Sequence, residues 1–195
     1  MNKPDYKKII QILNYIAGKF EGNVKYMKAL KLLYFADRLH LREYGRLITD
    51  DNLIAMKNGT LGSQARDIAT KSKYLPHIVY EYVSDKLIRN DDFTITQNFD
   101  ETDQLSETDI NCVNKIISDL GELSQYELAE LTHKLPEFKN SFERVNESVV
   151  DLDVLELFSK TDDKVLNKIY SQSEEEISLS RSLFLESLDQ KAQLV

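Results

Sequence analysis

Residues 28–46 read KALKLLYFADRLHLREYGR, and this stretch decides the fold. Its leucines and aromatic residues recur at helical spacing, which predicts a helix over Tyr26–Tyr44. The apolar residues cover more than one side of that helix, so we expect it to lie at the centre of the protein. Gly45 follows the last periodic residue, where helices often end in a left-handed residue.

The same segment carries a row of positive charge. Lys28, Lys31, Arg38 and Arg42 fall within about 40° of one another at about 100° per residue, with Phe35 between them. One interpretation is a solvated face whose long side chains cover apolar neighbours. The other is a partner-binding surface in which the phenylalanine is an apolar anchor among cations. For this second interpretation an acidic protein surface fits better than DNA, because four charges neutralise few phosphates.

The composition is that of a globular protein of ordinary domain size. The chain has 195 residues, of which 42% are hydrophobic and 30% charged, enough to bury a core without disulfides or metal. No apolar run reaches the ~20 residues that span a membrane, and the N-terminus lacks a signal-peptide core. Cys112 is the only cysteine; its place in an apolar-periodic run favours a buried small hydrophobe over a reactive thiol. We therefore expect a cytoplasmic protein.

Charge is unevenly distributed along the chain. The net charge is −8, yet residues 1–50 hold ten Lys/Arg against five Asp/Glu, and the remainder holds fifteen against twenty-eight. An acidic chain argues against general nucleic-acid binding, which depends on phosphate neutralisation. The basic first quarter keeps a local anionic contact open. One functional alternative is therefore a DNA-binding transcriptional regulator that uses the basic face of the central helix.

Helical and extended patterns alternate over the first hundred residues. The predicted elements are a helix over Pro4–Ala17, a turn over 19–23, a strand over Leu53–Lys57 and a helix over Ser63–Lys73. Tyr80, Tyr82 and Val83, followed by residues 93–96, predict short β segments around a polar turn at 89–92.

From residue 106 onward the pattern is helical. Ser106 and Ser124 begin capping-box-like sequences. The predicted helices cover 106–120, 124–133, 136–142, 152–158, 162–170 and 174–188, and Thr161 and Ser173 are the predicted caps of the last two. The fold class is mainly α (α+β), a helical domain around the long central helix with a small antiparallel β element. Residues 1–150 are assigned to this domain, and residues 151–195 to a helical C-terminal extension that packs on it or contacts a partner.

No catalytic constellation emerges from the sequence, and no metal or cofactor site is predicted. The six glycines are scattered and form no phosphate-binding loop. His40 lies within the central helix and is expected to be a packed or partly exposed residue rather than a base. Glu127, Glu130 and His133 are spaced by three on one helix, a pattern that ligates metal only when a second helix repeats it. Helix electrostatics explains these three residues better.

Two blocks of sequence resemble a known family. The first comprises Leu32–Ala36, Tyr44–Ile48 and Ala55–Gly59; the second comprises Leu105–Asp109, Leu120-Gly121, Ser124–His133 and Pro136. In this order they are similar to the core signature of the Panacea domain, the SocA-like antitoxin domain of bacterial and phage toxin–antitoxin systems. The resemblance spans about residues 25–145. The chain differs from the family pattern at Asn58-Gly59-Thr60 and at Pro136-Glu137-Phe138, where Phe138 replaces the usual tryptophan as the aromatic anchor.

The resemblance implies an antitoxin of a type II toxin–antitoxin system that neutralises a cognate toxin by direct protein–protein binding. It implies no enzymatic activity. Some relatives deliver the toxin to a cellular protease, so an adaptor role is implied as well, and self-association stays open. The predicted partner-binding residues are Lys28, Lys31, Phe35, Arg38 and Arg42.

Overall fold

The computed structural model describes residues 5–142 and 147–193 and is mainly helical with two small antiparallel sheets. The helices are α1 (Tyr6–Gly18), α2 (Tyr26–Tyr44), α3 (Ser63–Ala69), α4 (His77–Lys86), α5 (Glu107–Leu120), α6 (Gln125–His133), α7 (Pro136–Ser141), α8 (Lys164–Ile169) and α9 (Glu174–Gln193). A 3-10 helix covers Val154–Phe158. The strands are β1 (Asn23–Lys25), β2 (Leu53–Met56), β3 (Gly59–Gly62), β4 (Ile88–Arg89), β5 (Thr94–Thr96) and β6 (Val149–Asp151).

Helix α2 has the bounds predicted from the sequence and lies at the centre of the core. Every residue from Ala29 to Arg42 is buried. Helices α1, α5, α6 and α9, strand β3 and the 3-10 helix all pack against it. The helix ends at Gly45, whose φ of 68° is left-handed and whose N–H donates to the carbonyl of Leu41. A helix that is apolar on several sides can be satisfied only by neighbours on all of them.

The described residues form two three-stranded antiparallel sheets. The first has the order β1-β5-β4, and the second has the order β3-β2-β6. Strands β2 and β3 form a hairpin in which Met56 pairs with Gly59 across the two-residue turn Lys57-Asn58. Gly59 has a φ of 88°, a conformation that favours glycine.

Two buried aspartates fix the segment between α2 and α3. Asp37 accepts hydrogen bonds from the N–H groups of Ile48 and Thr49 and from the Thr49 hydroxyl. Asp51 accepts from the N–H groups of residues 64 and 65 and so caps the start of α3 from outside the helix. The chain that leaves the central helix is thereby tied to its side and to the next helix.

One predicted β segment is wrong. Tyr80, Tyr82 and Val83 lie in helix α4, which begins directly after Pro76. Val79, Tyr82 and Val83 pack on the core and share one helical face, whereas Ile78 and Tyr80 are exposed. Tyr80, Tyr82 and Val83 are residue types that favour strands, but the spacing of the buried side chains is helical.

Smaller differences concern element ends. The helix predicted over Ser63–Lys73 stops at Ala69. The segment 152–158 forms a 3-10 helix over Val154–Phe158, shortly after strand β6 ends at Asp151. The cap of α8 is Asp163 rather than Thr161. Ser173 does form the predicted capping box with Glu176. The predicted start of the first helix at Pro4 lies outside the described residues, within which Asp5 caps α1.

Helix α9 packs against the C-terminal end of α2. Ser180 is its buried residue, and a Cβ placed on Gly45 would lie 2.5 Å from the Ser180 carbonyl oxygen and 2.9 Å from Leu183 Cβ. Phe184 contacts Phe158 with ring centroids 6.1 Å apart. Strand β6 pairs with β2, so the predicted domain boundary at 150/151 falls within a strand; the division itself stays a prediction.

The close approach at Gly45 gives a test of α9 packing. Gly45→Ala combines a left-handed backbone with a collision against α9, whereas Gly22→Ala has the same backbone strain, at a φ of 81°, and open space around it. We expect Gly22→Ala to lower the unfolding free energy by about 1 kcal/mol, and Gly45→Ala to lower it by about 1–2 kcal/mol more. Urea denaturation measures both. Equal losses would show that α9 does not rest on Gly45 in solution.

Candidate functional site

The predicted basic row lies inside the protein. Lys31, Phe35, Arg38 and Arg42 are buried, and Lys28 is partly buried. The interpretation as a solvated face is therefore wrong, because the β2–β3 hairpin and segments from the C-terminal half of the chain cover this side of α2. Contact with a partner through these five residues stays a prediction, and in this conformation only Lys28 reaches the surface.

Arg38 forms a buried ion pair with Glu137 of α7. Its Nε lies 2.8 Å from Glu137 Oε1, and the Tyr34 hydroxyl donates to the same oxygen at 2.8 Å. Nη2 donates to the Ser159 carbonyl at 2.9 Å, and the guanidinium lies 4.3 Å from the centroid of the Tyr170 ring. The pair has no exposure on either side chain, so its charges interact in a medium of low polarisability.

Arg42 binds main-chain carbonyls instead of a carboxylate. Its Nη1 donates to the carbonyls of Leu157, Phe158 and Ser159 at 3.1, 2.5 and 3.2 Å, at the end of the 3-10 helix. Burial and the neighbouring Arg38 lower the pKa of Arg42 to about 10, so the side chain stays charged at neutral pH. A cation at a helix C-terminus compensates the orphaned carbonyls there.

Lys31 is buried without a carboxylate partner among the described residues. Its Nζ donates to the Thr60 carbonyl at 2.8 Å. Desolvation lowers its pKa from 10.5 to about 7. The β2–β3 hairpin packs tightly here, because a Cβ on Gly59 would collide with Thr132 Oγ1 and lie 2.9 Å from Lys31 Nζ. The lysine therefore joins α2, the hairpin and α6.

A cleft of about 650 Å³ opens beside this junction. One wall is the start of α2 and the turn before β5; the other is the hairpin turn and the exposed side of α6. The lining residues are Lys25, Tyr26, Met27, Lys57, Asn58, Asp92, Phe93, Gln125, Tyr126, Ala129, Glu130 and His133. The two family-like sequence blocks, which include residues 55–59 and 124–133, thus meet at one surface.

Two aromatic rings project at this cleft. Phe93 is 59% exposed and Tyr126 is 74% exposed. Phe93 has a φ of 67°, unusual for a bulky residue; its N–H donates to the Asn90 carbonyl, and its carbonyl accepts from the Tyr26 N–H at 2.9 Å. The backbone that holds the ring outward is therefore hydrogen-bonded on both sides.

The charges around the cleft are mixed. Lys25 and Asp92 form an exposed pair at 3.3 Å, and Glu130 lies 3.8 Å from His133 Nδ1. Lys57 at the hairpin turn is exposed and has no ion pair within residues 5–142 and 147–193. The cleft can bind a group that is apolar at its centre and charged at its edge.

Two titratable residues discussed in the sequence analysis, His40 and Glu127, have structural roles. His40 is buried, with Nδ1 2.9 Å from the Arg46 carbonyl, and burial lowers its pKa to about 4. The Glu127 carboxylate accepts from the Ser124 N–H in the capping box. Over the described ranges, no group of three or more His, Cys, Asp or Glu residues is arranged to hold a metal ion.

The expectation for Cys112 is confirmed. The thiol is buried, and burial together with Glu43 raises its pKa well above the ordinary value. The protonated form has little nucleophilic character. Cys112 is a core residue.

The sequence reasoning did not identify the cleft. Its walls come from segments separated by more than thirty residues, and only the folded chain brings them together. One signal was available: Tyr126 lies off the face of α6 that buries Leu128, Leu131 and Thr132. A large aromatic residue on the outer face of a short helix is a candidate for a binding surface.

The low pKa of Lys31 predicts a pH-dependent stability. Between pH 7 and 10.5 the unfolded chain keeps a proton on Lys31 that the folded chain has lost, so this residue makes the folded state more stable as pH rises through that window. Below about pH 7 the cost of the buried charge is fully expressed. Lys31→Met removes the titration, and its stabilising effect relative to the natural chain should shrink by about 2 kcal/mol between pH 7 and 9.

Urea denaturation at the two pH values measures this difference. Lys139→Met, at an exposed lysine of α7, is the matched control and should show the same offset at both. If Lys31→Met changes the unfolding free energy by the same amount at both pH values, Lys31 does not have the lowered pKa that its burial predicts.

The buried pair of Arg38 and Glu137 predicts a large loss for one isosteric change. Glu137→Gln keeps the shape but leaves the buried guanidinium without its counter-charge, and we expect a loss of about 3 kcal/mol in unfolding free energy. Asp119→Asn breaks the exposed pair with Lys115 and should cost no more than about 0.5 kcal/mol. Urea denaturation measures both unfolding free energies. Similar losses in the two variants would show that the charge of Glu137 does not stabilise the buried Arg38.

Across residues 5–142 and 147–193, every helix is too short or too polar to cross a membrane. No curated protein and no solved structure matches the chain. Comparison with protein families matches residues 30–139 to the family described as "Antitoxin SocA-like, Panacea domain". The matched segment begins in α2, ends in α7 and includes both the ion pair of Arg38 with Glu137 and the walls of the cleft from Lys57 to His133. It covers more than half of the 195 residues, and the chain belongs to the SocA-like Panacea antitoxin family.

Proposed function

We propose that this protein is the antitoxin of a type II toxin–antitoxin system and neutralises a cognate toxin protein by direct contact. The observation that carries the proposal is the family match over residues 30–139. This segment contains the greater part of the central helix and the helices and strands packed around it. The family description supports a non-enzymatic role in association with a toxin, and we place that role in the cytoplasm.

The surface supports direct protein contact as the mode of action. Large exposed side chains at the cleft, with mixed charges around them, are typical of interfaces that combine an apolar centre with a polar rim. A specific complex buries about 1,600 Å² in total, so the interface would extend beyond the cleft. Binding can block the toxin outright or present it to a cellular protease; both routes begin with the same complex.

The DNA-binding alternative has less support. It relied on the basic face of the central helix, and Lys31, Arg38 and Arg42 are buried against carbonyl oxygens and Glu137. Charges that are already engaged inside the protein do not reach a phosphate backbone. The net charge of −8 also disfavours general binding to a phosphate backbone.

Co-expression tests the proposal. The product of the neighbouring gene should arrest growth when expressed alone, and the present protein should restore growth and co-purify with it as a stable complex. Failure both to bind and to rescue would refute the antitoxin role. A gel shift with the DNA upstream of the gene pair tests the alternative: we expect none, and a shift that weakens steeply with salt would favour the regulator instead.

A further inference from the structure

Building on the proposed antitoxin function, we propose that the cleft between the Phe93 turn and α6 is the docking site for one segment of the toxin. That segment carries a large apolar side chain, which enters between the two walls, and a carboxylate beside it, which pairs with Lys57. The inference identifies the surface and the chemistry of the partner, neither of which follows from family membership.

The first support is where the cleft lies. Its volume of about 650 Å³ is within the usual range for a binding pocket, about 300–1,000 Å³. The hairpin turn at Lys57-Asn58 and helix α6 belong to different sequence blocks, yet the collision that a Cβ on Gly59 would make with Thr132 shows how tightly they pack. The hairpin and α6 are therefore closely packed at the base of the cleft.

The second support is the pair of exposed rings. Phe93 and Tyr126 place much of their apolar surface in water. Aromatic residues of this kind are enriched among the side chains that carry most of an interface's binding energy. Covering them with an apolar side chain of a partner removes this surface from water, at about 25 cal/mol per Å².

The third support is that the backbone carrying both rings is held in place by hydrogen bonds before binding. Phe93 keeps a backbone conformation that costs a bulky residue about 1–3 kcal/mol, and the Asn90 side chain braces the turn by donating to Thr94 and Thr96. Tyr126 lies in the first turn of α6, between Ser124 and Glu127, the two residues of the capping box. A preformed surface loses less entropy when a partner binds.

The fourth support is charge, and it favours a protein segment over a phosphorylated or nucleic-acid ligand. Asp92 and Glu130 line the same cleft and would repel a phosphate. Asp92 is engaged with Lys25, whereas Lys57 is exposed and has no ion pair over the described parts of the chain. A single carboxylate can pair with Lys57 and, with a smaller negative charge than a phosphate, is repelled less by the two acids.

The test uses the full-length protein and the product of the neighbouring gene as the probe. Three variants change the cleft: Tyr126→Ala, Phe93→Asn and Lys57→Glu. Asparagine tolerates the left-handed backbone at position 93, so that variant removes the ring and keeps the turn. Each ring variant should weaken the complex about 30-fold in Kd, and Lys57→Glu about 10-fold, with a matching loss of growth rescue.

Two controls match these changes outside the cleft. Tyr74→Ala removes a ring that is 82% exposed, and Lys139→Glu reverses an exposed charge on α7. Both should bind and rescue as the natural chain does. Circular dichroism and thermal unfolding show whether each cleft variant is folded before its affinity is measured by calorimetry.

The outcomes separate the two proposals. If the natural chain neither binds nor rescues, the antitoxin function is refuted. If the natural chain rescues and the three folded cleft variants do so equally well, the function stands and the cleft is not the docking site. A Lys57→Glu variant that regains binding to a toxin with one acidic residue changed to lysine would establish the predicted carboxylate contact.

Discussion

The structure depends on hydrogen bonds and a counter-charge that compensate the buried cations of α2. Helix α2 carries three long cations into the core, and an unpaired buried charge would cost several kcal/mol. Glu137 and the Tyr34 hydroxyl complete the surroundings of Arg38, and the carbonyls at the end of the 3-10 helix surround Arg42. Segments far apart in the chain are therefore held to one helix by directional bonds as well as by apolar packing. Hydrophobic burial alone would hold them without fixing their orientation.

The sequence predicted the parts of this fold that depend on local chemistry. The bounds of α2, the cap at Gly45 and the capping boxes at Ser106, Ser124 and Ser173 follow from spacing and side-chain type, and all are present. The burial of the basic row was not predicted. The groups that accept its hydrogen bonds are mostly main-chain carbonyls. Every residue has one, so the sequence does not indicate which residues will accept. The cleft escaped prediction for a related reason, since its walls come from distant segments.

The family membership and the surface geometry complement each other. The match over residues 30–139 places the chain among SocA-like Panacea antitoxins, and the fold shows how that segment forms one scaffold. Most of the charged residues predicted to meet a partner are used internally. The outward surface at the cleft is instead provided by two turns and a short helix, whose rings and lysine are exposed beside a closely packed base. Scaffold and contact surface are thus separate sets of residues on the same elements.

Arg42 binds the backbone of residues 157–159 and none of their side chains, and this has a consequence for divergence within the family. Related chains can exchange residues in the 3-10 segment freely, provided that the path of its main chain and its apolar packing are kept. The arginine has less freedom, because lysine lacks a second nitrogen that could donate to Gln172 Oε1, as Nε does, while Nη1 donates to the carbonyls. Among related proteins, position 42 should therefore vary less than the side chains of residues 157–159.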